Sequence, residues 1–217
     1  MKLYIFLFLF LWGPSATGLS FLQIDSSRPK LNKGLQTELI KMGREDQKYR
    51  TKWQSEIIKM SPAERIAPTN KASVLMKRQE RIDKENVTRL AEIIRQHGWP
   101  GKSLVGERAS QAAILILQHA ELVQQEKYLP LLKAAASQGE VHPADAAMLE
   151  DRVLVGQGRK QRYGTQVHFE PKTYGKWELY PIEDEERVDE RRAAAGLEPL
   201  AEYLKAFGIE YKLTRKK

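Results

Sequence analysis

Apolar residues recur with helical spacing along most of this chain. From Leu31 onward, the rows Leu35, Met42, Tyr49 and Leu39, Asp46, Trp53, Met60 each advance by seven. Interleaved, they make one face of a long amphipathic helix. Asp46 is the exception, a carboxylate where the pattern calls for an apolar side chain. Ser61-Pro62 and Ala67-Pro68-Thr69-Asn70 break the pattern. Helix resumes near Lys71, and Asp83 can cap a segment whose Val87, Leu90, Ile94 and His97 share a face. Gly98-Trp99-Pro100-Gly101 ends it. Ala109 to Leu117 is apolar almost all round, which predicts a helix buried on several sides and ending in Gln118-His119. His119 follows Leu115 by four residues and so points into packed surroundings. Another helix covers Tyr128, Leu129, Leu132 and Ala136, bent or restarted at Pro130, with Gly139 as its C-cap. Pro143 opens the next, which runs to about Val155 and carries Glu150-Asp151-Arg152.

The pattern changes after Gly156-Gln157-Gly158. Tyr163 to Phe169 and Lys176 to Tyr180 read as two short strands joined by a turn over Glu170 to Gly175. An acidic turn, Glu183-Asp184-Glu185-Glu186, leads into a helix ending at Gly196, and a last helix spans Pro199 to Phe207. The expected fold class is mostly α (α+β): a multi-helix domain with one small antiparallel β-hairpin near the C-terminal third. Residues 31–210 are expected to form this single helical domain, with a flexible lead-in at 19–30 and a basic tail at 211–217.

Residues 1–18 have a different character. Met1-Lys2 precedes an uncharged run from Leu3 to Trp12, and Gly13 to Gly18 is small and polar. This order of basic, apolar and small-residue regions predicts a secretory signal peptide cut after Gly18. Ten apolar residues reach only about 15 Å, half of a hydrocarbon core of roughly 30 Å. No later segment approaches a membrane span, so the mature chain is expected to hold no transmembrane segment. The chain has no cysteine, which excludes disulfides, thiol catalysis and cysteine zinc sites. Export without cysteine fits a bacterial protein, secreted or periplasmic. Asn86-Val87-Thr88 has the spacing of a glycosylation sequon, a match expected by chance.

The 217 residues carry a net charge of +8, and +7 remains once Lys2 leaves with the signal. The basic residues alternate with acids, and only Lys212 to Lys217 is a basic cluster. A nucleic-acid partner is therefore not expected, since no basic stripe with interleaved aromatics appears. His97, His119, His142 and His168 are 22, 23 and 26 residues apart, without metal-ligand spacing. No phosphate loop or nucleophile elbow is present. No metal or other cofactor is expected.

The polar motifs resemble, in combination, those of a bacterial family of domains of unknown function, numbered 6624. Met42 to Arg50 is similar to its early M…DQxxR element, Gly98-Trp99-Pro100 with Gly106 to its GWP…G, and Gln118-His119-Ala120 to its QHA. Leu149 to Val153 resembles its DRV element, and Gly158 to Gln166 its G-x-x-Q-x-YGTQ signature. Pro181 to Tyr203 resembles the family's tail, with Glu185 after Asp184 where that tail has proline. The resemblance covers about residues 35–204. It implies a fold and a set of shared polar residues, and no activity.

Three readings of those residues stand. In the first, Asp46, Gln47, Arg50, Gln118, Arg152, Gln161, Tyr163, Gly164, Thr165 and Gln166 line a cluster that recognises a small molecule, a glycan or a protein. In the second the domain is a metal-independent hydrolase. His119 is then the general base and Asp46 or Asp151 its orienter, with His119 and Asp151 as the catalytic candidates. In the third the cluster is purely structural, Asp46 and Arg50 pairing across one helical turn. Whether the chain is an enzyme stays open at this level. Two contacts are expected: Asp46 with His119 or Asp151, and the YGTQ segment, inside the hairpin, with the helix carrying Asp151-Arg152, through a Gln166–Arg152 hydrogen bond.

Overall fold

The computed structural model describes residues 31–57, 59, 71–170 and 176–212. The expected signal peptide and lead-in, the helix breaks at Ser61-Pro62 and Ala67 to Asn70, the turn residues 171–175 and the end of the basic tail lie outside the described residues. The fold is mostly helical, with one two-stranded antiparallel sheet. Among the described residues, no helix is long and apolar enough to cross a membrane. They fall into two compact units that divide between Ala146 and Ala147.

In the first unit, α1 (Lys33–Ile57) starts where Asn32 caps it, its Oδ1 accepting the Leu35 N–H at 3.0 Å. Leu35, Leu39, Met42, Asp46 and Trp53 are buried, the face that the interleaved rows predict. α2 (Lys71–His97) runs antiparallel to α1. Asn86 Nδ2 donates to the Met42 carbonyl at 3.3 Å and Gln79 Oε1 accepts the Tyr49 N–H at 3.1 Å, so contacts descend α2 as they climb α1. Asn86 is thereby buried, which removes it as a glycosylation acceptor. α2 is continuous through Asp83, which is not a cap. Its carboxylate is engaged by side chains of α1 and α2, so it does not compete for backbone N–H groups.

After Gly98 (φ 73°) come the short α3 (Lys102–Val105) and then α4 (Glu107–Gln118). α4 packs on α1 and α2 and buries Ala109, Ala113, Ile114, Ile116 and Leu117. Gly43 makes the approach of α1 possible, since a Cβ there would stand 2.8 Å from the Ala112 Cβ. α5 (Leu122–Ser137) passes through Pro130 without a break and closes at Gly139 (φ 74°), where the Glu140 N–H returns to the Ala135 carbonyl at 2.9 Å. α6 (Pro143–Gly156) starts on Pro143 as expected and crosses the division, its residues from Ala147 on belonging to the second unit.

The second unit holds the rest. β1 (Val167–Glu170) pairs with β2 (Lys176–Leu179), Val167 opposite Leu179. A 3-10 turn at Glu185–Arg187 leads into α7 (Val188–Ala194), and α8 (Leu200–Lys205) follows. Val167, Ile182, Val188, Leu200 and Leu204 form the core here. Residues 163–166, expected in the first strand, are not in it, because other groups capture their backbone amides.

Candidate functional site

Asp46 reaches the interior from the middle of α1 and is fully buried. Its Oδ2 accepts Gln47 Nε2 at 2.7 Å and meets His119 Nδ1 at 2.8 Å. The expected meeting of Asp46 with His119 is thus present. His119 is the residue on which α4 ends, and its side chain is only 5% exposed. Its N–H is shared between the Leu115 and Ile116 carbonyls. Gln125 of α5 clamps the turn around it, donating to the carbonyls of Gln118 and Ala120 at 2.9 Å each. Gln118 is buried beside it. With the ring proton on Nδ1, Asp46 Oδ2 accepts it.

Arg50, one turn along α1, has its Nε 3.7 Å from Asp46 Oδ2 and donates through Nη2 to Asp83 Oδ2 at 2.6 Å. Gln79 completes the row by donating to Asp83 Oδ1 at 2.8 Å. Burial pushes the Asp83 carboxyl above its ordinary value. Arg50 and Gln79 pull against that rise and the Asp46 charge adds to it. Two atoms of this row are left over: among the described residues, buried Asp46 Oδ1 meets no hydrogen-bond donor and buried Arg50 Nε meets no acceptor.

The second unit carries a different arrangement. Asp151, fully buried on α6, accepts the backbone N–H groups of Arg162 (2.6 Å), Tyr163 (3.0 Å) and Thr165 (3.0 Å), and the Thr165 hydroxyl at 2.9 Å. Burial pushes its carboxyl up against these four donors. Gln161 binds the next amide, Gln166 N–H to Gln161 Oε1 at 2.8 Å, and donates to the Gln166 and Tyr180 carbonyls. Gln166 donates to the Thr165 hydroxyl at 3.0 Å and the Met148 carbonyl at 3.4 Å. The YGTQ segment therefore does face α6, and the Asp151 carboxylate is what holds it. Gly164 has φ 70°, and its missing Cβ is replaced by Leu200 and Ile182 side chains rather than by open space. Arg152 is buried on the same helix.

Sequence reasoning passed over several members of these clusters. Gln79 and Asp83 are four residues apart, on a face with Leu75 and Asn86, and the break in that apolar face was the signal available. Arg192 is fully buried, four residues after Val188 and three before Ala195 on their apolar side. It donates to the carbonyls of Glu198 and Tyr163 at 2.6 Å each, and its guanidinium carbon lies 4.9 Å from the Tyr203 ring centroid. The Tyr203 hydroxyl donates to the Thr165 carbonyl at 2.9 Å.

Burial raises the Tyr203 phenol to about 12. An unfolded tyrosine ionises near pH 10. The neutral phenol's contribution is whole below pH 10 and is lost as pH rises from 10 toward about 12. That loss amounts to roughly 2–3 kcal/mol. Urea midpoints of the native chain should fall faster across this window than those of Tyr203→Phe; parallel curves would refute the assignment.

Among the described residues, no group of three or more His, Cys, Asp or Glu is placed to hold a metal ion. No curated protein and no solved structure matches the chain. A family model matches residues 33–216, and on that match the chain belongs to a family of unknown function (DUF6624).

Proposed function

We propose that the protein is exported and works as a recognition domain that takes a small polar ligand at the Asp46–His119 cluster. The observation that carries this reading is the division of labour within one carboxylate. Asp46 Oδ2 serves Gln47 and His119, while buried Oδ1 meets no donor among the described residues. A buried acceptor left without a donor costs about 1–3 kcal/mol. An N–H or O–H brought by a ligand removes that cost, as does an ordered water. The Asp151 cluster supports the reading by contrast, since both its oxygens are taken by the protein's own amides.

Thermal melts of the mature chain against amino acids, sugars and nucleosides test it. A ligand at a hundred times its dissociation constant stabilises by about 2.7 kcal/mol, and Asp46→Asn should abolish that gain. Stabilisation that survives Asp46→Asn sinks the site. A ladder of compounds with no effect on either protein leaves water as the Oδ1 donor and sinks the ligand. Export is tested separately, by whether the protein recovered outside the cytoplasm begins at Leu19.

A second reading, a metal-independent hydrolase, is favoured by the 2.8 Å contact between His119 Nδ1 and Asp46. That contact suits a histidine whose Nε2 accepts a proton from an attacking water. Turnover that His119→Gln leaves unchanged would exclude it.

A further inference from the structure

The outer face of the α1–α2 pair gathers positive charge around one aromatic ring. Lys48 Nζ, Lys52 Nζ and the Arg78 guanidinium carbon lie 5.7, 5.6 and 6.0 Å from the Tyr49 ring centroid. Lys48 is bridged to Glu45 at 3.0 Å. Among the described residues, no carboxylate lies within ion-pair distance of Lys52 or Arg78. Like charges gathered around one ring repel one another, Lys48 least because Glu45 is bridged to it. The Tyr49 quadrupole offsets part of that repulsion, and an external anion would offset the rest. One turn before Arg78, on the same face of α2, stands Val74, which is 47% exposed.

We infer that this face docks on an anionic lipid bilayer. Cations alone would suit any polyanion. A half-buried tyrosine and an exposed valine among them favour a bilayer, where the aromatic ring and the aliphatic group enter the headgroup region while the cations meet phosphates. The excess of Lys and Arg over the whole chain adds a long-range attraction of the same sign. The inference does not rest on the Asp46 site, whose loss would leave it intact.

Co-sedimentation of the mature chain with phosphatidylcholine vesicles, with and without phosphatidylglycerol, tests it. Binding is expected only to the anionic vesicles, weakening as salt rises from about 0.02 M to about 0.15 M. Lys52→Glu with Arg78→Glu, both at exposed positions, should weaken binding by about tenfold or more while leaving the circular dichroism unchanged. Val74→Ser should weaken it less, and without altering the salt dependence. Equal binding to neutral vesicles, or full binding by the doubly reversed variant, overturns the inference. So does retention of duplex DNA at Lys52 and Arg78 without retention of vesicles, which would make the face a nucleic-acid surface.

Discussion

Asp151→Asn is expected to destabilise the second unit by on the order of 3–5 kcal/mol. The native carboxylate is a pure acceptor facing four donors, three of them backbone N–H groups that cannot turn away. The amide keeps one acceptor oxygen and brings two N–H donors to face amides that also donate. At least one buried amide is then left without a partner, and the loop must move to relieve it. Urea denaturation of Asp151→Asn and Thr165→Val separates the contributions. Thr165→Val removes only the hydroxyl bond and should cost about 1 kcal/mol. A loss under about 1 kcal/mol for Asp151→Asn would show that water replaces the carboxylate without penalty.

Gly164→Ala should cost on the order of 2–4 kcal/mol, from a left-handed backbone together with a packing clash. The new Cβ would stand 2.7 Å from Leu200 Cδ1 and 2.9 Å from Ile182 Cδ1, both core side chains. The clash half of that cost can be isolated. In a Leu200→Ala background the same substitution should cost noticeably less, because the nearer of the two crowding side chains is gone. If the two costs are equal, the Leu200 contact contributes nothing, and backbone strain with the remaining Ile182 contact explains the glycine. If Gly164→Ala leaves stability untouched, the glycine serves something other than packing, and a ligand approaching that backbone becomes the better account.

The helices were legible because each buries a face whose spacing is written in local sequence. Leu35, Leu39, Met42 and Trp53 declare α1, and the near-continuous apolar run declares α4. Asp46 was legible as an anomaly for the same reason, and a carboxylate on that face has to find a partner inside. Where reading failed, a distant group overrode a local preference. Asp83 has the chemistry of a cap, but Arg50 on another helix holds its carboxylate. The stretch 163–166 alternates like a strand, but Asp151 and Gln161 hold its amides, so the ladder begins only at Val167. Pro130 reads as a bend or a restart, and α5 continues through it without restarting. Such partners lie 5 to 33 residues away in the chain, and no periodicity marks them.

The contact between Asp46 and His119 joins residues 73 apart, whereas the bonds to Asp151 span 11 to 14. Chain-closure entropy grows as the logarithm of that separation, so the longer contact costs about 1.5 kcal/mol more to make from an open chain. It also cannot form until α1 has found α4. The loop around Asp151 can close while most of the protein is still unfolded. The Asp46–His119 pair forms only with the packing of α1 on α4. Shortening that unit by α1 would remove one partner and leave the other on a helix end with no carboxylate to meet. The candidate site is therefore a property of completed assembly, and no fragment that lacks either end of that 73-residue span can contain it.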